Sequence, residues 1–126
     1  MKNQSIDLSR AEYDILRILW KHDRMTVREV HDELTPTLGW AYTTTKTMMD
    51  RMVQKELLSR EQFHGIYLYQ ALISRPAGLA KFVQFFAERV LEIDTASVVS
   101  LFAKSNSLSS EEIDELAQIL QDEQKD

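Results

Sequence analysis

Residues 26–60 read TVREVHDELTPTLGWAYTTTKTMMDRMVQKELLSR, and the order of elements inside this stretch decides the fold. Thr26 with Glu29 three residues later is a capping box, in which each side chain satisfies a backbone donor of the other at a helix start. Val27, Val30 and Leu34 follow at helical spacing. Thr35-Pro36 is expected to end this short helix, because proline removes a helical donor and crowds the residue before it. Thr37-Leu38-Gly39-Trp40 reads as a turn. A further helix is expected to start near Ala41 to Thr43 and run to about Lys55. Thr45, Met48, Met49 and Met52 share one of its faces; Thr43, Thr44, Lys46, Thr47, Asp50, Arg51 and Gln54 share the other. Threonine is a poor helix former, so three in a row at a helix start point to hydroxyls wanted on the surface.

Upstream, Ser9 and Glu12 form a second capping box. Tyr13, Leu16, Leu19 and Trp20, widened by Ile15 and Ile18, then make a core-facing stripe that fades at Lys21-His22-Asp23. Downstream, Leu57–Gln62 and Ile66–Leu72 are strand-like runs separated by Phe63-His64-Gly65, which reads as a β-hairpin with Gly65 in its turn. Past Ser74-Arg75-Pro76, Leu79, Phe82, Val83, Phe86, Val90 and Leu91 form one broad helical stripe with Phe85 and Ile93 beside it. A shorter helix is expected over about Ala96 to Ala103, with Val98, Val99, Leu101 and Phe102. A last helix opens with a third capping box, Ser109 and Glu112, and carries Ile113, Leu116, Ile119 and Leu120 before a polar fray from Gln121 to Asp126. The expected fold class is mainly α with a small β-hairpin. A winged helix-turn-helix DNA-binding domain is expected over 1–73 and a helical dimerisation domain over 74–126.

Composition bounds the function. With 126 residues, 44% hydrophobic and 28% charged, the chain fits one globular domain, or one small domain with an appendage. It has no cysteine, which excludes disulfides, thiolate metal sites and a cysteine nucleophile. No run approaches 18 apolar residues and the N-terminus lacks an apolar core, so neither membrane insertion nor a signal peptide is expected; a cytoplasmic location is the default. The net charge of -5 argues at first against a nucleic-acid partner. That charge is unevenly spread: the chain up to Arg75 carries 11 basic and 10 acidic residues, and from Pro76 onward 4 and 10. From Trp40 to Arg60 the balance is 4 basic to 2 acidic.

Double-stranded DNA is therefore the expected partner of the first half. In a winged helix-turn-helix the third helix enters the major groove and the hairpin lies against backbone or minor groove. Thr43, Thr44 and Thr47 carry short hydroxyl side chains that reach phosphates or base edges, and their methyls suit thymine methyls. Lys46 and Arg51 supply charge for phosphates or a guanine contact. Free backbone N–H groups near Tyr42 to Thr44 favour a phosphate at the helix start. Arg60 and His64 on the wing are weaker candidates. Asp50 speaks for a plainly solvated, mixed-charge face, since a carboxylate beside DNA is unfavourable.

Four of the five phenylalanines fall after Pro76, and about fifty residues in three helices bury so wide an apolar face poorly by themselves. An intermolecular core is expected from Phe82, Phe85, Phe86, Val90, Val98, Phe102, Ile113, Leu116 and Leu120, and hence a homodimer whose two-fold symmetry suits a palindromic operator. Two other classes stay open: a winged-helix module that binds only protein, favoured by the acidic charge, and a regulator that senses a small ligand, for which no polar constellation is evident. An enzyme is not expected. There is no nucleophile elbow, phosphate loop or metal-spaced pair; His22 and His31 are nine residues apart and read as helix-surface residues. No catalytic residue, metal or cofactor is assigned.

LSRAEYDILRILW (8–20), GWAYTTTKTMMDRMVQKELL (39–58), the hairpin ending YLYQAL (67–72) and LSSEEIDELAQIL (108–120) together resemble the penicillinase-repressor family of BlaI and MecI type, with its copper-responsive CopY relatives. The family pattern of Trp, Thr, Thr and Arg after the turn falls on Trp40, Thr44, Thr47 and Arg51. The resemblance implies a dimeric transcriptional repressor with a winged-helix N-terminal domain, a helical dimerisation domain, and a recognition helix bearing Thr43, Thr44, Lys46 and Thr47. Members that answer β-lactams are cleaved between an Asn and a Phe; the matching positions here are Leu101 and Phe102, so the Asn is missing and induction by a membrane sensor-protease is disfavoured or differs in specificity. Copper-responsive members carry Cys-x-Cys motifs, which this chain lacks. Glu56 stands where the family often has Gly, which is expected to alter the entry to the wing.

Overall fold

In the computed structural model, which describes residues 7–124, Ser9 accepts from the Glu12 backbone N–H (3.1 Å) while the Glu12 carboxylate accepts from the Ser9 N–H (2.9 Å). That capping box starts α1 (Arg10–His22), which buries Ile15, Leu16, Ile18 and Leu19. The chain then makes a strand of two residues, β1 (Arg24–Met25), before the Thr26–Glu29 capping box opens α2 (Val27–Leu38).

Here the structure corrects the sequence reading. Proline does not end α2 at Thr35-Pro36; the helix runs through Pro36 to Leu38, and the turn shrinks to Gly39-Trp40-Ala41. Thr35 and Pro36 are exposed, and the Thr35 hydroxyl donates to the His31 carbonyl (2.8 Å). The stop is Gly39 at φ 66, whose N–H returns to the Thr35 carbonyl (3.0 Å). Glycine takes this left-handed conformation without the Cβ clash that opposes it elsewhere.

Next, α3 (Tyr42–Gln54) buries Thr45, Met49 and Met52, with Met48 half-buried. Its C-terminus is a Schellman motif: Glu56 N–H bonds to Val53 O (3.0 Å) and Leu57 N–H to Met52 O (2.9 Å). Glu56 sits at φ 63, so a glutamate occupies the left-handed conformation that glycine takes most easily.

β2 (Leu58–Phe63) and β3 (Ile66–Ala71) form the hairpin, in register from Leu58↔Ala71 to Phe63↔Ile66. Phe63 belongs to the strand, so the turn is His64-Gly65 alone, with both residues at positive φ as a type I′ turn requires. The sheet has three strands in the order β1-β3-β2, since Arg24 pairs with Gln70 and Met25 with Tyr69. Two residues are too few to leave a strand signature in sequence. Trp20 donates its indole N–H to the Ile73 carbonyl (2.9 Å), fastening the end of this unit to α1.

The chain divides at Ser74 into two compact units, Leu8–Ser74 and the segment beginning at Arg75. In the second, α4 (Arg75–Phe85) runs on into a π-helical segment (Phe86–Leu91), followed by α5 (Thr95–Ser105) and α6 (Ser110–Gln124). The last helix extends past the expected fray at Gln121, with a Gln118–Asp122 side-chain hydrogen bond one turn apart (2.9 Å) supporting it. The fray's last two positions, 125 and 126, lie outside the described residues.

The core of this unit is Ala80, Val83, Ala87, Val98, Leu116, Ile119 and Leu120, with Phe102 and Leu108 packed against it. Arg75 forms a fork onto the Glu112 carboxylate (3.0 and 2.6 Å), joining the start of α4 to the start of α6. The apolar stripe read in the sequence is split. Val83 points into the core, while Phe82, Phe85, Phe86, Val90 and Leu91 stay exposed, Phe85 to 59%. The alanines that do the inner packing were not part of the stripe. Among the described residues, no helix is long and apolar enough to cross a membrane.

Candidate nucleic-acid interface

α3 follows α2 after a three-residue turn, and its outward surface is built from Thr43, Thr44, Thr47, Met48 and Arg51, which line one shallow concavity. Thr43, Thr44, Lys46, Thr47 and Arg51 are all exposed, because the opposite face is occupied by Thr45, Met49 and Met52 in the core. Only two of the three consecutive threonines therefore offer free hydroxyls. Thr45 is wholly buried, and its hydroxyl lies 3.2 Å from His31 Nδ1. His31 is thus not the plain surface residue read from sequence: its other ring nitrogen is 3.3 Å from the Thr35 hydroxyl, and its ring meets Tyr42 edge-on.

Ala41, at the N-cap of α3, has no side chain to cap the helix. The Thr44 N–H turns back to Ala41 O (3.1 Å), as does that of Thr45 (3.2 Å). This narrows the expected anion-facing donors from Tyr42–Thr44 to Tyr42 and Thr43, at the positive end of the helix dipole. Arg28, in the first turn of α2, lays its guanidinium over the Tyr42 ring (4.4 Å to the centroid). The sequence reading missed Arg28; its signal was a lone base in the first turn of a capped helix, where acids are the rule.

The remaining cations are organised by Asp50. Lys46 Nζ donates to Asp50 Oδ2 (2.7 Å); Arg60 Nη1 and the Tyr69 hydroxyl donate to Asp50 Oδ1 (2.8 and 2.7 Å). Arg60 also stacks on Tyr67 (4.4 Å), and it faces Tyr69 directly across the hairpin. Burial alone would raise the Asp50 pKa; the hydrogen bonds from Lys46 and Tyr69 and the two positive charges outweigh it and hold the carboxyl below its ordinary value. The same hydrogen bond raises Lys46 above the usual lysine value. Asp50 is therefore not evidence for a merely solvated face, because its carboxylate is engaged by three donors.

The structure thus brings Tyr42, Thr43, Thr44, Lys46, Thr47 and Arg51 onto one helix surface, with Arg60 beside it at the wing root. His64 lies apart at the wing tip, against Phe63 (4.2 Å between centroids). The residues expected to dimerise also separate. Phe82, Phe85, Phe86 and Val90 are exposed; Phe102 and Ile113 are half-buried; Val98, Leu116 and Leu120 are inside the chain's own helical core. Of the pair Leu101-Phe102, in the middle of α5, the leucine is exposed and the phenylalanine is packed on that core. Among the described residues, no cluster of three His, Asp or Glu could hold a metal ion.

Residues 8–122 match the family model described as penicillinase repressor. The chain is 30% identical over 122 residues to the penicillinase repressor of Staphylococcus aureus, covering 97% of both chains. It is 30% identical over 115 residues to that of Bacillus licheniformis, covering 91% of this chain and 90% of that one. It is 26% identical over 120 residues to the methicillin resistance regulatory protein MecI of Mammaliicoccus sciuri, covering 95% of this chain and 98% of that one. Among solved structures it is similar to the DNA-binding domain of the repressor BlaI (TM-score 0.51, 27% identity), which spans 59% of this chain and 90% of that one. It is similar to the same extent in coverage and identity to monomeric Bacillus licheniformis BlaI in complex with a half-operator (TM-score 0.52).

Proposed function

The chain belongs to the penicillinase repressor family, and from that membership we infer that it is a DNA-binding transcriptional repressor, acting as a homodimer on a palindromic operator. The observation that carries the reading is the exposed hydroxyl-and-cation surface of α3, in a unit whose fold matches a BlaI domain solved on a half-operator. In this reading α3 enters the major groove, where Thr43, Thr44 and Thr47 meet base edges or phosphates. Arg51 neutralises a phosphate, and the Tyr42 and Thr43 N–H groups receive another. Arg28, and Arg60 at the wing root, flank the groove. Such a protein works where the operator is, in the cytoplasm.

The homodimer rests on Phe82, Phe85, Phe86, Val90, Leu91 and Leu101, large apolar side chains left exposed by the helical unit. Phe82, Phe85 and Phe86 line one apolar cleft, and a grouped apolar exposure of this kind marks an interaction surface. The cleft between Leu79, Phe82, Phe85, Phe86, Val98 and Phe102 has a wholly apolar lining, which suits a partner's side chain better than an oriented polar effector. Two features oppose cleavage by a membrane sensor-protease at Leu101–Phe102: the bond lies inside α5, and Leu stands where the family's cleavage site has Asn.

The test is selection of bound duplexes from a random-sequence library, with sedimentation of the free protein. A recovered two-fold symmetric site and a dimer at micromolar concentration are expected. Recovery of no common sequence sinks the repressor reading, and a monomer sinks the dimer.

A further inference from the structure

A carboxylate in the middle of a surface meant for a polyanion calls for a reason, and the Asp50 cluster supplies one. Its Oδ1 accepts from Arg60 on β2 and Tyr69 on β3, and its Oδ2 accepts from Lys46 one turn earlier on α3. Three donors on two oxygens leave it poorly placed to accept from a base amino group, adenine N6 or cytosine N4, in the major groove. Its position at the junction of recognition helix and wing means that two cations from different elements share one internal negative charge. Lys46 and Arg60 then present a net charge of one to DNA instead of two, and each must leave the carboxylate to meet a phosphate in full.

We propose that Asp50 is a specificity-determining positioning residue: an internal stand-in for phosphate that holds Lys46 and Arg60 back from non-specific duplex and yields them only when helix and wing are both seated on the operator. The inference rests on the repressor reading. Non-specific binding is almost wholly electrostatic, so masking cations lowers it fully. Specific binding also draws on base contacts, so it loses less. The ratio between the two therefore rises.

The experiment measures the affinity of the full chain, across a range of salt concentrations, for its library-selected duplex and for a mixed-sequence duplex. Asp50→Asn removes the charge and keeps the shape. It is expected to tighten mixed-sequence binding about three- to tenfold at low salt and to steepen its log K against log salt slope by about one. The preference for the selected duplex should fall, and Asp50→Glu should restore it. Tyr69→Phe, which leaves the carboxylate charge in place, should leave the slope unchanged. Equal weakening on both duplexes, or an unchanged slope, overturns the proposal while leaving the repressor reading intact. Failure of the wild-type chain to select any duplex overturns that reading and this inference with it. Should Asp50→Asn not fold, as judged by circular dichroism, Lys46→Gln and Arg60→Gln decide the matter. With Asp50 present, either alone should lower the mixed-sequence slope by at most about one and the two together by no more; a loss of about two in the double variant means both cations already sit on phosphates and overturns the proposal.

Discussion

Arg51 is an exposed cation of α3 with no ion-pair partner among the described residues, whereas Lys46 and Arg60 share Asp50. The three should therefore behave differently on DNA. Arg51→Ala is expected to weaken binding on every sequence and to lower the salt slope by about one, the signature of a lost phosphate contact. Thr44→Ala and Thr47→Ala should instead narrow the gap between selected and mixed-sequence duplexes with little change in slope, because a neutral hydroxyl releases no counterion. Titration at several salt concentrations separates the two classes. A slope change at Thr47 would reassign it to a role coupled to the backbone charge. Thr45 belongs to neither group, since its hydroxyl faces His31 inside the protein.

Elements show where local signals carry the fold and where they stop. All three capping boxes read from sequence form as reciprocal pairs, at Ser9–Glu12, Thr26–Glu29 and Ser109–Glu112. They were legible because the motif is local: both partners lie within one turn and need no tertiary context. The α3 surface was legible for a similar reason, through helical spacing that sent Thr45, Met49 and Met52 inward. What escaped depends on distance in sequence. β1 exists only because Met25 pairs with Tyr69, and Asp50 changes meaning only once Arg60 and Tyr69 fold back onto it. Pro36 misled because a local rule met a helix end that tolerated its breach on an exposed face. At Glu56 the backbone wants glycine: φ is 63, the side chain is exposed, and left-handed geometry costs a residue bearing Cβ about 1 kcal/mol. Glu56→Gly should therefore stabilise the winged unit by about that amount, seen as a higher urea midpoint with unchanged slope.

On the scale of the whole chain, two kinds of apolar residue in the helical unit make opposite predictions. Leu116 is wholly buried, so Leu116→Ala should cost about 2–5 kcal/mol of unfolding free energy. Phe85 is mostly exposed in the single chain, so Phe85→Ser should leave that chain folded and, on the proposed homodimer, shift its sedimentation to monomer. Loss of folding on Phe85→Ser would mean the residue serves its own unit. Stability should also depend on acid. Burial opposes ionisation of Glu12, but its hydrogen bonds from Lys55 and Ser9 leave its pKa lowered. The Arg75 fork lowers Glu112, and Ser97 lowers Asp94. With Asp50 these groups take up protons more readily unfolded than folded, so their contribution is complete above the unfolded carboxyl values and is lost as pH falls through the lower folded ones. Urea unfolding at fixed temperature should give a plateau from pH 7 to about 5 and a decline below about pH 4.

The short strand β1 has a mechanical consequence. Its backbone pairs with β3 at Tyr69 and Gln70, and its Arg24 Nη1 donates to Glu61 Oε1 on β2 (2.8 Å), so the pairs Gln62↔Tyr67 and Phe63↔Ile66 lie beyond its reach. The wing is thus a cantilever, clamped at its root and compliant at its tip. Asp50, Arg60 and Tyr69 meet at the clamp, where geometry is stiff, and Phe63, His64 and Ile66 ride on the free end, which can bend along a groove without disturbing them.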